Sequence, residues 1–315
     1  MRNRRYRMKN GLAVGIATSL ALIVLGAAAC MVGVVTARNN GQSLFTEKKD
    51  GGTYYSAQIP DSVTRLRIGV DSADISVVGG AEQSKIEFYN FNPNYYSLSV
   101  MQSAITFEEV SDLKSMVNIW ERGLTFKGLR YALDIRNFSD NGQRRRITVS
   151  LSEGCSLKAI DISAADGGID INNISVSGDI NISANSGEIS VNNTETKTSL
   201  SVIGESINTT VNDSTSDVFR YSATDSHLDI NGSEFADAVI TVGAGRVDFR
   251  SNVSLDSAAV TAVTEAGGIL VNSKPQPGDY VTELEEYDRS LHIKTVSGGI
   301  NIEFPSNKTD QSESE

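Results

Sequence analysis

"DGGIDINNISVSGDINISANSGEISVNNT", residues 166–194, writes nearly the same phrase twice: Gly167-x-Ile169-x-Ile171-Asn172 and, twenty residues on, Gly187-x-Ile189-x-Val191-Asn192. Inside each phrase apolar and polar residues alternate strictly, the signature of a strand with one buried face. The glycine ahead and the asparagine behind are residue types that accept the backbone of a tight corner. A strand pair this short cannot bury its apolar face alone, so repeated phrases must stack on one another.

Working outward, the closing column holds Asn172, Asn192, Asn212, Asn231, Arg250, Asn272 and Glu303. The residue before it is always apolar: Ile171, Val191, Val211, Ile230, Phe249, Val271, Ile302. Ahead lies a turn column of Gly167, Gly187, Ile207, Ser226, Gly245, Gly267 and Gly298, and ahead of that a second alternating pair running from Ile160/Ile162 to Leu291/Ile293. The expected fold is all-β, a parallel β-solenoid over 147–305 of about seven coils, each with two short half-buried strands. Coils spaced by about 4.8 Å would build a rod of roughly 30 Å. A stacked corner ladder of Asn172, Asn192, Asn212, Asn231 and Asn272, each in the left-handed conformation, is expected to bond side chain to side chain between coils.

"LRIGVDSADISVVGG" (66–80) fits the same template and supplies an eighth coil. Residues 88–146 break register; with that coil they form a segment 57–146, in which the insertion is expected to cap the first end of the stack. An amphipathic helix is expected around "ITFEEVSDLKSMVNIW" (105–120), followed by the basic run Arg144–Arg146 and a strand "ITVSL". Residues 273–290, with two prolines, read as a surface loop between the last two coils.

The ends have a different character. Of the 28 Lys and Arg, five lie within residues 1–10, and from Asn10 to Ala37 nothing is charged. The apolar stretch 11–37 exceeds the about 20 residues that cross a hydrocarbon core, so it reads as a transmembrane helix with a basic cytoplasmic tail, 1–10, before it. A cleaved signal peptide would be shorter, and "AAAC" ending at Cys30 only faintly echoes a lipoprotein site. Residues 38–56 read as a polar linker and 306–315 as a disordered acidic tail. The 23 remaining basic residues face 39 acids, so the exported body carries about −16, which argues against nucleic acid as a partner. Cys30 and Cys155 leave the body without an intrachain disulfide.

The order "ITVSLSEGCSLKAIDISAADGGIDINNISVSGDINISANSGEISVNN" (147–193) resembles the bacterial putative-adhesin family of unknown function, in which an extended strand and a corner precede tandem "s-G-d-i-x-i" lines. The likeness spans about 147–304, and Ser152-Glu153-Gly154 stands where that family has a proline corner. It implies a β-solenoid exposed at the bacterial cell envelope, often behind a membrane helix, with no established activity.

Catalytic and metal readings fare poorly. The lines never match the G-G-x-G-x-D nonapeptide of calcium β-rolls, and one aspartate per twenty residues does not supply six to eight oxygen ligands. Asp161, Asp170 and Asp179 invite comparison with polysaccharide-cleaving solenoids, but their outward neighbours Asn181, Ser190 and Ser201 are the residues of a solvated face. His227, His292 and Cys155 show no triad spacing, and "VGAGRVDF" (242–249) lacks the ending of a phosphate loop. No cofactor and no metal are expected, and the chain does not read as an enzyme. The reading is a membrane-anchored, extracytoplasmic, adhesin-like or envelope interaction scaffold whose partner is a protein or cell-wall polymer. The alternatives are an envelope sensor working through a second membrane protein and, more remotely, a polysaccharide-active β-helix enzyme.

Overall fold

Period-two alternation is realised strand by strand: along Leu157–Asp166, residues 157, 160, 162 and 164 are buried while their neighbours face out. The structure, a computed structural model, describes residues 54–91, 96–100, 103–109, 144–254, 257–282 and 287–305. The expected membrane helix 11–37, the acidic tail 306–315 and most of the expected amphipathic helix lie outside them. Among the described residues no helix is long and apolar enough to cross a membrane.

Chain order begins with β1 (Tyr54–Gln58), β2 (Arg65–Ser72), β3 (Asp74–Ala81), β4 (Lys85–Tyr89), β5 (Tyr96–Val100), β6 (Ala104–Glu109) and β7 (Arg146–Ser152). The repeats follow as β8 (Leu157–Asp166), β9 (Ile169–Asn172), β10 (Ser175–Asn192), β11 (Glu195–Thr196), β12 (Ser199–Asn212), β13 (Thr215–Asn231) and β14 (Glu234–Arg250). Last come β15 (Ala258–Ala266), β16 (Ile269–Val271), β17 (Lys274–Gln276), β18 (Tyr280–Val281), β19 (Arg289–Ser297) and β20 (Ile300–Glu303). Residues 54–56, read as linker, are therefore already strand. Ala104–Glu109 is a strand with Ile105 and Phe107 buried, where the sequence had suggested the start of a helix.

Parallel pairing stacks these strands into nine layers with two principal sheets. In spatial order the layers are β6/β7, β2/β3, β8/β9, β10, β12, β13, β14, β19/β20 and β15/β16. Two of these placements correct the sequence reading. The coil 289–303 lies between 237–250 and 258–271, so the segment 273–290 joins two neighbouring layers but runs inward: the chain first steps out to β15/β16, then returns to fill the gap, and the segment holds β17 and β18 where a loop was expected. At the other end β6 and β7, from the register-breaking region, form a ninth layer outside β2/β3. Antiparallel strands cover both ends: β4 on β7 with β1 beyond it, β5 on β6, and β17 and β18 on β16 and β15.

β10, β12, β13 and β14 each run through the corner as one continuous strand whose register is kept on both sides, with only residues 185, 205, 224 and 243 unpaired there, so what the pattern presents as two strands is one bent ribbon. A third side is also present. Val176, Thr196, Ser216 and Phe235 line up there in register, with Phe235 stacked on Phe219 at 4.6 Å.

Inward columns form the core. Ile162, Ile182, Val202, Tyr221, Ile240 and Ile293 stack along the first sheet, and Ile171, Val191, Val211, Ile230, Phe249 and Ile302 along the second, all buried. Removing such side chains from water stabilises the fold by about 1.5–3 kcal/mol each. Tyr221 brings a hydroxyl into this core, and Thr209 and Ser226 bond it there. That is why the apolar column admits a threonine.

Candidate functional site

The corners position every outward side chain. Gly167, Gly187, Gly245 and Gly298 have φ of 131°, 130°, 125° and 152°. A Cβ on Gly187 would lie 2.0 Å from the carbonyl oxygen of Gly167, so that layer closes on its neighbour only over glycine. Gly267 lacks a left-handed φ but obeys the same packing limit, since a Cβ there would lie 1.9 Å from the Gly298 oxygen. Ile207 turns inward instead, against Gly204.

The asparagine corner differs from the sequence expectation. Asn172, Asn192, Asn212 and Asn231 end strands in extended backbone, and the left-handed residue comes one position later, at Asn173 (φ 56°), Asn193 (45°), Asp213 (47°) and Gly232 (65°). Only Asn272 (49°), of the five residues assigned to the ladder, has the expected conformation, and its Oδ1 accepts from the Phe304 amide at 2.8 Å. Side chains still link layers: Asn212 donates to Asn192 Oδ1 at 2.8 Å, and Asn193 to Asn173 Oδ1 at 2.9 Å. Asn192 donates to Ser190 in its own layer and not to Asn172. Behind this corner lies a second ladder that the pattern concealed. Thr194, Ser214 and Ser233 are buried; the Thr194 amide donates to Ser214 Oγ and the Ser214 amide to Ser233 Oγ, at 3.2 and 3.1 Å. Its signal is the Asn-x-Ser spacing at Asn212 and Asn231.

Outward residues of the first sheet line a shallow groove of about 650 Å³ over the early layers. Arg67, Glu108, Asp161, Asn181, Ser201 and the half-exposed Ile203 form it. Arg67 Nε meets Glu108 Oε1 at 2.8 Å across two layers, and Asn181 donates to Asp161 at 2.9 Å. Arg67 and Glu108 were not singled out from the sequence, because Arg67 reads there as one polar residue on a strand and Glu108 as one residue of the expected helix 105–120.

The three aspartates do not converge on one cleft. Asp161 and Asp179 lie on the first sheet, the latter accepting from Ser199 at 2.7 Å, whereas Asp170 lies on the second. Burial pushes the Asp170 carboxyl above the usual range, partly offset by a hydrogen bond from Ser76. The histidines also part, His292 on the first sheet and His227 on the second. His227 sits 3.6 Å from Asp248, an outward carboxylate that is almost fully buried because Arg246 and Asn301 also donate to it, at 2.6 and 3.2 Å. With Arg250 bridging Asp229 and Glu303, this network ties three layers side by side. Cys155 stands apart beside Val63, its thiol pushed up by burial and by the charge of Asp61, which disfavours the nucleophilic thiolate. Among the described residues no three His, Cys, Asp or Glu side chains are grouped as metal ligands.

The chain matches the family described as Toastrack DUF4097 over residues 54–228 and again over 135–314, and it belongs to that family. Solved structures of similar fold include a putative cell adhesion protein from Clostridium sporogenes, 12% identical, covering 81% of this chain and 100% of its own with a TM-score of 0.35. A putative adhesin from Bacteroides fragilis is 10% identical over 82% of this chain and 98% of its own, with a TM-score of 0.45. A putative lipid binding protein from Parabacteroides distasonis is 12% identical over 82% and 98%, with a TM-score of 0.37. No curated protein matches the chain.

Proposed function

We propose that this protein is a non-catalytic, membrane-anchored scaffold that presents its solenoid outside the cell to another protein or to wall polymer, in the manner of an adhesin. The observation that carries this reading is the first sheet itself: successive layers repeat the same outward positions at one strand spacing, and the Arg67–Glu108 and Asn181–Asp161 contacts fix the polar groups of a groove within it. Side chains repeating every about 4.8 Å suit a ligand that is itself repetitive or extended. The basic flank and apolar stretch 11–37 supply the anchor and its orientation, and the acidic body stays off an anionic lipid surface.

The test uses the full chain, tagged at its C-terminus, on intact cells. Externally added protease removes the tag without lysis, and the purified chain captures an isolated wall-polymer fraction or whole neighbouring cells. Asp161→Lys with Ser201→Lys weakens capture by about 10-fold or more with an unchanged unfolding midpoint. Turnover of polysaccharide or ester substrates at enzymatic rates would sink this reading, as would capture indifferent to the groove variant.

A further inference from the structure

The two ends of the stack treat their exposed strand edges differently. A free edge is a template for pairing with another chain, and edges are commonly blunted by shortness, proline and charge. The C-terminal edges use all three. β17 is three residues with Pro275 in its middle, β18 is two residues, and Pro277 and Asp279 lie between them. The N-terminal edges use none of these devices. Among the described residues β1, YYSAQ, pairs only with β4, and β5, YSLSV, only with β6; each is five residues long, and neither contains a proline or a charge.

The edge is also prepared with aromatic surface. Tyr54 and Tyr55 are 51% and 37% exposed at the outermost strand. Each continues a stack that already runs into the protein: Tyr54 on Tyr89 at 4.9 Å with the Arg146 guanidinium 4.5 Å over that ring, and Tyr55 on Phe88 at 5.2 Å. Charge is distributed to match. Described residues 54–152 hold six Lys and Arg against seven Asp and Glu, while described residues 153–305 hold eight against nineteen. A second copy brought up to the N-terminal end meets described layers that are nearly neutral, whereas an approach through the C-terminal layers sets acidic layers against each other.

We infer that two copies of this chain pair head to head through β1, antiparallel, extending the second sheet across a two-fold axis. This does not rest on the proposed function. An isologous contact of this kind closes on itself, so it gives a dimer and no fibre. A two-fold axis perpendicular to a sheet maps each face onto itself. Because side chains alternate with period two, one residue of β1 must therefore stand directly opposite its own copy.

That requirement supplies a positional test on the purified full chain. In a Cys30→Ser, Cys155→Ser background, single cysteines are placed in turn at residues 54 to 58 and oxidised. The expected result is an intermolecular disulfide concentrated at one position, because opposed residues lie about 4.5–5.5 Å apart at Cα, within disulfide reach. Ser56→Lys, whose outward side chain lies opposite Glu87 and so leaves the fold intact, weakens dimerisation measured by sedimentation by about 10-fold or more. Three results overturn the proposal: a wild-type chain that stays monomeric at high micromolar concentration, as it would if another segment of its own covered β1; a flat cross-linking profile; or a dimer indifferent to Ser56→Lys, which would place the contact elsewhere, as in the apolar segment 11–37.

Discussion

Asn192 and Asn193 are one peptide apart and have opposite tolerances. Asn192 lies in extended backbone, paired with Asn212, and contributes one bond between layers; Asn193 holds φ at 45° and bonds Asn173. Valine at 192 loses about 1 kcal/mol of hydrogen bonding, partly recovered by strand preference. Valine at 193 adds about 1–2 kcal/mol of left-handed strain to a similar loss. Urea unfolding is expected to rank Asn193→Val well below Asn192→Val, and the reverse order would move the corner back to the earlier residue. Asp170 gives a pH-dependent case. Burial raises its folded pKa above the unfolded value, so the ionised form costs stability at neutral pH and the cost vanishes as pH falls below both values. Asp170→Asn is therefore expected to be more stable than wild type at pH 7 and no different well below the carboxylate range, as two urea curves would show. Equal stability at pH 7 would mean that the side chain is effectively solvated.

Among elements, the reversed order of the last two coils has a consequence that sequence order would not give. β15/β16 rests on β19/β20, which in turn rests on β14. Ending the chain after Asn272 removes only the later strands in sequence, but it strips the neighbour from β15/β16 and so costs two layers. Hydrogen exchange on that truncation is expected to show amides of 258–271 exchanging freely while 237–250 stays protected; protection at 258–271 would restore the sequential stack. Which residues face inward was legible because alternation is a local property, and it gave Ile182, Val191 and their columns directly. Layer order was not legible, since each layer presents the same apolar columns and the same step, so Ile293 can sit on Ile240 as readily as Ala262 could. The ninth layer was hidden for a related reason: Ile105 and Phe107 alternate over one short strand and then run into a segment of helical pattern. The groove was hidden because Arg67, Glu108 and Asp161 are distant in sequence and meet only when three layers stack.

For the whole molecule, stability behaves as a chain of nearest-neighbour contacts, and the position of a lesion in the stack decides how far its damage spreads. Ile182 is buried in β10, with layers on both sides: its register partners are Ile162 and Val202. Val260 is equally buried but, among the described residues, lies in the last parallel layer, partnered in parallel only by Leu291. Truncating Ile182 to alanine costs about 2–5 kcal/mol in transfer and cavity terms. Both halves of the stack lose that contact, so the single cooperative unfolding transition should shift as a whole. Val260→Ala removes less volume and can be relieved by fraying one layer, which leaves the inner layers paired. The expected pattern is a lowered midpoint for Ile182→Ala with uniform loss of amide protection on both sides of β10. For Val260→Ala the midpoint should be nearly unchanged, with protection lost only in 258–271 and its antiparallel cover, 274–281. Local loss around β10 alone would show that the layers unfold independently, and the nearest-neighbour description would then fail for this solenoid.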